Sequence, residues 1–187
     1  MSIATLMSAH DLSTYDAAGQ RTELVEGQLV VREPTGLAHG RLAAELAAHL
    51  RAYAYAVGAE PMGVVLAGDP GFWIARAPDT VRAPDVAFVR RERWPTTGLE
   101  QYGTVAPDLV IEIRSPTDRT GALLQKVSQW LTAGTAIVWV IDPARRTAQH
   151  FAADGTIALL GANETLLGAP VLDGLQIPLA PLWSPPW

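Results

Sequence analysis

Five consecutive apolar residues, Ile137–Ile141, constrain the fold of this chain more than any other stretch. Such a run is typical of a strand that is buried on both faces, as in a parallel sheet. An alternating strand pattern at 107–114 and a helical pattern at about 118–133 come before it. A strand–helix–strand unit crosses over in the right-handed sense and places both strands in one sheet. We therefore expect an α/β (mixed α+β) domain with a mixed β-sheet flanked by helices.

The strand at 107–114 carries charged residues on one of its two faces, because successive side chains point in opposite directions. The apolar set is Leu109, Ile111 and Ile113, and the other set is Asp108, Val110, Glu112 and Arg114. An edge strand with one solvated face would also explain this pattern. The helix and buried strand that follow favour an interior strand, which makes Glu112 a candidate functional carboxylate. Asp108 lies roughly 13 Å away along the strand and is too far to share an ion with it.

The helix at about 118–133 contains Lys126, the only lysine of the chain, beside thirteen arginines. Lys126 flanks an apolar stripe formed by Leu123, Val127, Trp130 and Leu131. Lysine is a compact charge with an adjustable pKa, whereas arginine stays charged. Chance would also explain a single lysine, but its position predicts that the ammonium reaches the end of the Glu112 strand.

The remaining elements follow from periodicity and from glycine and proline breaks. We predict a short helix within 5–17, a hairpin over 22–31 with its turn at Glu26-Gly27-Gln28, and a helix from about 39 to 57. Strands are expected at 60–67, 72–75, 84–90 and 147–152, with short strands in 154–180. Segments 76–83 and 91–106 are predicted to be irregular. Asp85 lies on the strand over 84–90.

Length and composition fit one soluble globular domain over residues 1–187. The chain has no cysteine, which excludes disulfides and thiolate metal sites. It shows neither a secretory signal nor a membrane-spanning apolar run, so we expect a cytoplasmic protein. A net charge of −5 argues against strong sequence-blind nucleic-acid binding but leaves room for a local basic patch.

Several short motifs resemble a known family when they are taken together in order and spacing. They are Glu23–Val30, His39-Gly40, Arg82–Val89 with Pro84-Asp85, Ala106–Ile113, Ser115-Pro116, Lys126 and Ala133-Gly134. The chain is similar to the Uma-type family of putative restriction endonucleases, within the PD-(D/E)XK nuclease superfamily. The resemblance spans about residues 15–180 and implies a restriction-endonuclease-like fold.

This resemblance implies a Mg²⁺-dependent endonuclease that acts on DNA, with Mn²⁺ as a possible substitute. Asp85 and Glu112 would be the metal ligands, and Lys126 would be the catalytic cation, with Arg114 as the alternative. The third position of the E-x-K triplet is Arg114 instead of lysine, and the Uma-type proteins resemble this chain in placing the lysine on the next helix. Glu26 matches a family carboxylate and would add a further acidic group, although a hydrophilic turn residue is an equal interpretation.

Two further residues are candidates for contacts with the substrate. Arg114 would meet a phosphate, and His39 would either contact a phosphate or cap the helix that follows it. A homodimer is expected because a duplex cutter needs two sites and the chain contains six tryptophans, one in a Pro-Pro-Trp tail. A catalytically silent binding domain and a hydrolase of small phosphoesters are the alternative functions.

Overall fold

The computed structural model describes residues 6–15, 20–56, 58 and 60–184. These described residues form three α-helices: α1 (Ala9–Thr14), α2 (Leu37–Ala56) and α3 (Thr120–Thr132). The first strands are β1 (Arg21–Val25), β2 (Gln28–Arg32), β3 (Gly63–Ala67), β4 (Phe72–Ala75), β5 (Thr80–Arg82) and β6 (Val86–Arg90). The others are β7 (Leu109–Ile113), β8 (Ile137–Asp142), β9 (Thr147–Ala152), β10 (Ile157–Leu160), β11 (Thr165–Leu167) and β12 (Gln176–Pro178).

A six-stranded mixed sheet in the order β10-β9-β8-β7-β6-β3 forms the centre of the domain. β7 and β8 are parallel and are joined through α3, as the apolar run Ile137–Ile141 predicted. β6 pairs with β7 in the antiparallel sense. β7 therefore lies between two hydrogen-bonded neighbours, and all five of its residues are buried. The predicted mixed sheet with flanking helices is confirmed.

The two faces of this sheet are covered by different helices. Leu109, Ile111 and Ile113 pack with α2, whose buried stripe consists of Leu42, Leu46, Leu50 and Ala54. On the opposite face, Val110 packs with Val127 and Trp130 of α3. Because strand side chains alternate, Glu112 lies on the α3 face of the sheet. Both faces of β7 are covered, which rules out the edge-strand alternative.

A second, four-stranded sheet in the order β2-β1-β5-β4 packs next to the first. The predicted hairpin is β1 and β2, with Glu26 and Gly27 at positive φ in its turn. The prediction that segment 76–83 is irregular was wrong at its end, because Thr80–Arg82 form β5 between β1 and β4. All three residues of β5 are buried.

Some predicted features fall outside the described residues. They are residues 5 and 16–17 of the predicted N-terminal helix and the Pro-Pro-Trp tail at 185–187. Within the part of the chain that the structure describes, no helix is both long and apolar enough to cross a membrane.

Candidate metal and phosphodiester site

Two carboxylates meet where β6 begins and β7 ends. Asp85 directly precedes β6, and the antiparallel register, in which Val86 pairs with Ile111, continues to place Asp85 opposite Glu112. The Ile113 amide donates a hydrogen bond of 2.6 Å to Oδ2 of Asp85. This bond holds the Asp85 carboxylate against the end of β7, where Ile113 lines the same pocket.

Glu112 is held by two side chains of α3. Nε1 of Trp130 donates to Oε1 at 2.8 Å, and Nζ of Lys126 donates to Oε2 at 2.8 Å. Glu112 is only 4% exposed. A buried carboxylate without partners would be strongly destabilising, so these contacts are what makes its position in the core tolerable. Residues 126 and 130 are one helical turn apart and therefore lie on the same face of α3.

Lys126 is bound on three sides by oxygen atoms. Its Nζ lies 2.8 Å from the Ala83 carbonyl, 2.8 Å from Oε2 of Glu112 and 2.9 Å from Oε1 of Glu23. An ammonium group has three protons and no acceptor, so all three donors are matched. The predicted approach of Lys126 to the Glu112 strand is present in the structure.

Glu23, rather than Glu26, supplies the additional carboxylate at this site. Glu26 is exposed at the hairpin turn and does not line the pocket, because the turn carries it beyond the end of β1. Glu23 lies in the middle of β1, is 3% exposed and lines the pocket. The signal in the sequence was a glutamate in the interior of a hairpin strand, a position that seldom carries a carboxylate without a partner.

A buried arginine also binds Glu23. NH1 of Arg82 on β5 donates to Oε2 of Glu23 at 2.9 Å, and the Ala83 amide donates to Oε1 at 3.0 Å. Gln129 of α3 accepts from two nitrogens of Arg82, at 2.8 and 2.6 Å. One face of α3 therefore positions both acidic groups, Glu112 through Lys126 and Glu23 through Arg82.

The buried charges shift the pKa of each group in this cluster. Burial opposes ionisation of Glu23, but the charges of Lys126 and Arg82 lower its pKa to about 2. For Glu112, burial is the dominant effect and raises the pKa to about 7, although Lys126 opposes it. Burial alone would lower the pKa of Lys126, and the nearby carboxylates raise it instead. Burial and the nearby charges of Asp85 and Glu23 therefore disfavour an ionised Glu112, and a bound cation would stabilise this carboxylate.

His39 is brought to Asp85 by the first turn of α2. Its Nε2 lies 3.3 Å from Oδ2 of Asp85. Burial alone would lower the pKa of His39, but the hydrogen bond and charge of Asp85 raise it. On the other side of Asp85, Arg21 lies 3.5 Å from Oδ1 and also pairs with Asp69. Sequence analysis missed Arg21 and Asp69 as residues of the site.

Arg114 does not reach this pocket. β7 ends at Ile113, so the strand alternation that placed Arg114 beside Glu112 no longer applies to it. Its guanidinium donates to Oγ1 of Thr120 at 2.9 Å and lies 3.5 Å from Asp142. The geometry therefore provides no support for the predicted phosphate contact of Arg114. Asp108 is likewise remote from the site and binds NH1 of Arg93 at 2.6 Å.

The pocket around these groups has a volume of about 760 Å³ and an acidic lining. Its six carboxylates are Glu23, Glu33, Asp69, Asp85, Glu112 and Asp118, and its permanently charged cations are Arg21, Arg32 and Lys126. Such a lining repels a phosphate diester unless a cation is bound. Among the described residues, no three acidic or histidine side chains converge into a complete metal site.

The donor set nevertheless fits a hard divalent ion. The oxygens of Asp85 and Glu112 and the Ile113 carbonyl are the candidate ligands. Mg²⁺ is commonly bound by one or two carboxylates and keeps several waters, so it does not require a third acidic side chain. The absence of cysteine likewise disfavours a soft metal.

The stabilising contribution of the buried Glu23 carboxylate is expected to depend on pH. Its pKa falls from 4.5 to about 2 on folding, so its stabilising contribution is present above pH 4.5 and is lost as pH falls through about 2. The full contribution is about 3 kcal/mol. Chemical denaturation between pH 6 and pH 2 should show the stability difference between the wild type and Glu23→Gln shrinking with acidity. A difference that stays constant with pH would contradict this prediction.

The mixed sheet, its flanking helices and the carboxylate pair at the β6–β7 junction define a restriction-endonuclease-like domain. A solved structure has the same fold: a putative nuclease belonging to DUF820 from Anabaena variabilis ATCC 29413, with a TM-score of 0.81. The two sequences are 16% identical over 95% of this chain and 97% of that chain.

The family model of Uma2, described as putative restriction endonuclease, matches residues 8–180, and the chain belongs to this family. The family resemblance inferred from the motifs is confirmed. A comparison with curated proteins gave no significant match.

Proposed function

We propose that the chain is a Mg²⁺-dependent endonuclease that hydrolyses phosphodiester bonds of DNA through a metal-activated water. The observation that carries this proposal is the pairing of Asp85 with Glu112 beside the Ile113 backbone, in a pocket that Lys126 also lines. Membership of the Uma2 family supports the choice of substrate. Mn²⁺, another ion that suits oxygen ligands, is proposed as a substitute.

Asp85 and Glu112 are proposed to hold the ion, with the Ile113 carbonyl as a third ligand. The bound ion would lower the pKa of its water and neutralise charge on the phosphoryl oxygens. The Ile113 amide and Trp130 keep the two carboxylates in place for this task. His39 and Arg21 lie beside Asp85 and are proposed to contact the substrate phosphate.

Lys126 is proposed to act as a fixed positive charge. Its three protons point to three oxygen acceptors, and its pKa is raised, so the structure favours the protonated form. A protonated lysine whose three protons are already engaged would stabilise charge developing on the phosphate through its positive charge, and it does not take a proton from the water.

The proposal is tested by incubating the protein with supercoiled plasmid and, separately, with a small chromogenic phosphodiester. We expect nicked or linear plasmid with Mg²⁺ or Mn²⁺ and none with a chelator. Cleavage of only the small diester would instead indicate a phosphodiesterase for small substrates. No cleavage of either substrate, combined with retained nucleic-acid binding, would indicate a silent binding domain and overturn the proposal.

A homodimer is the expected form of a duplex cutter, because a two-fold axis presents two sites to the two strands. The outer edge of the six-stranded sheet offers an interface: on β10, Ile157 and Leu159 are 68% and 67% exposed. Light scattering at micromolar concentration should give twice the chain mass of 20.0 kDa. Leu159→Asp should shift the mass towards one chain, since it places a charge in the apolar contact. A wild-type mass of one chain would contradict the prediction.

A further inference from the structure

Two arginines, Arg119 and Arg146, have neither an acidic partner nor an aromatic one among the described residues. Within this part of the chain, all but four of the thirteen arginines form an ion pair with a carboxylate. Of those four, Arg51 and Arg76 lie over aromatic rings, 4.3 and 3.6 Å from the ring centroids. Arg119 and Arg146 are exposed and are available to an anion from outside the chain.

Both arginines lie at the end of the central sheet where β7 and β8 terminate. Arg119 directly precedes α3, and Arg146 lies in the turn that joins β8 to β9. The guanidinium of Arg114 reaches both segments: it donates to Oγ1 of Thr120 at 2.9 Å and lies 3.5 Å from Asp142. The loop before α3 and the β8–β9 turn are therefore neighbours.

The same end of the sheet carries the proposed metal ligands. Glu112 of β7 pairs with Val140 of β8, and neighbouring strands lie about 4.8 Å apart. The β8–β9 turn is therefore displaced sideways from Glu112 by one to two strand spacings, roughly 5–10 Å. Residues 115–118 line the pocket and lead directly to Arg119. Both arginines thus lie beside the pocket, on its β8 side.

The local charge in these two segments is positive, whereas the chain as a whole has a net charge of −5. The loop and the turn carry four arginines: Arg114, Arg119, Arg145 and Arg146. They carry two carboxylates, Asp118 and Asp142, and Arg32 also binds Asp118 at 3.3 Å. Arg145 pairs with Asp142, yet its side chain is 67% exposed. A polyanion is therefore attracted to this surface and not to the acidic pocket itself.

We propose that Arg119, Arg145 and Arg146, here called the arginine ridge, bind backbone phosphates of double-stranded DNA next to the scissile phosphate. This inference rests on the proposed function, since it takes the scissile phosphate to lie at Asp85 and Glu112. B-DNA carries one phosphate charge per about 1.7 Å of its axis, so such a duplex presents further phosphates within reach of the ridge. Contacts to phosphates carry no sequence information, so the ridge holds duplexes of any sequence.

The composition of the ridge favours a duplex over a single strand. Proteins that bind single strands combine basic side chains with aromatic rings on which unpaired bases stack. Residues 114–119 and 142–146 contain no aromatic residue. The ridge therefore offers charge to a phosphate backbone and no stacking surface to a base.

Salt-dependent binding of a short, labelled duplex oligonucleotide tests the ridge. Fluorescence anisotropy gives the dissociation constant at a series of KCl concentrations, with Ca²⁺ as a hard ion in place of Mg²⁺, and a gel shows that the duplex stays intact. Each phosphate contact contributes about 0.9 to the slope of log affinity against log salt. We expect the double variant Arg119→Gln/Arg146→Gln to lower this slope by about two and to weaken binding on the order of 10- to 100-fold at low salt.

Two further double variants serve as controls. Arg51→Gln/Arg76→Gln changes the net charge by the same amount, and neither of its residues lines the pocket, so it should keep the wild-type slope. Arg119→Lys/Arg146→Lys keeps both charges and should recover most of the slope, because an ammonium also binds phosphate as a point charge. Thermal melts show whether each variant is folded.

The outcomes separate the ridge from the proposed catalytic function. A wild-type slope in Arg119→Gln/Arg146→Gln, an equal loss in Arg51→Gln/Arg76→Gln, or no binding of the duplex by the wild type overturns the ridge, even if plasmid is cleaved. A loss that the lysine variant does not recover also overturns it, because the effect is then not one of charge. A loss that is confined to the glutamine variant of the ridge and recovered by lysine supports it. If that result is obtained and no phosphodiester is cleaved with Mg²⁺ or Mn²⁺, only the proposed catalytic function fails.

Discussion

Replacing Asp85 by asparagine is expected to reduce Mg²⁺-dependent cleavage on the order of 1,000-fold. The substitution keeps the shape of the side chain and an oxygen that can accept from the Ile113 amide. It removes the negative charge that would hold the ion. Single-turnover kinetics measure the fall in the cleavage rate. Calorimetric titration with Mn²⁺ should show weaker binding of the metal.

Asp108→Asn is a matched control for this prediction, since Asp108 is also buried but does not line the pocket. It accepts a hydrogen bond from the Arg90 amide and pairs with Arg93. The control should lower the free energy of unfolding by about 2 kcal/mol and leave the cleavage rate of the folded protein unchanged. Equal losses of cleavage in both variants would mean that Asp85 acts through stability alone.

Lys126→Arg should remove most cleavage although it keeps the positive charge. Three oxygens surround Nζ within 2.9 Å, and a planar guanidinium is too large to replace the ammonium among them. A fixed group that stabilises charge in the transition state contributes about 100- to 1,000-fold to the rate. The rate under saturating substrate should fall by an amount in this range, while Mn²⁺ affinity should change little, because lysine is not a metal ligand.

Arg114→Ala distinguishes the helix lysine from the arginine of the strand triplet. Because Arg114 lies outside the pocket and binds Thr120, its removal should change cleavage by no more than about twofold. Thermal melts of Lys126→Arg and Arg114→Ala show whether each variant is folded, so that a loss of cleavage is not mistaken for a loss of structure. If Lys126→Arg kept wild-type turnover while Arg114→Ala lost it, the catalytic cation would be misassigned.

Much of the central sheet was predictable because its signals are local. The apolar run at Ile137–Ile141 marked a strand buried on both faces, and the preceding helix fixed its parallel pairing with β7. The alternation along 107–114 placed Glu112 on the α3 face. β5 was missed because a three-residue strand has almost no pattern of its own and exists through its pairing with β1 and β4.

The candidate site was predictable only in part. Asp85, Glu112 and Lys126 came from motif spacing, and the structure brings them together. Glu26 was the one glutamate of the Glu23–Val30 motif that the sequence analysis named; the burial of Glu23 follows from the pairing of β1 with β5, which local patterns do not reveal. Arg114 was assigned by alternation, which fails one residue beyond the end of a strand.

The sequence by itself determined the central strand–helix–strand unit, the faces of β7 and the candidacy of Asp85, Glu112 and Lys126, because these depend on side-chain type, motif spacing and short-range periodicity. The tertiary structure alone decided how those charges are paired. Lys126 bridges Glu112 on β7 and Glu23 on β1, strands of two different sheets that are separated by almost ninety positions along the chain. The pKa of each group follows from that pairing and from burial, so the acidity of the site is a property of the packed sheets and not of any one segment.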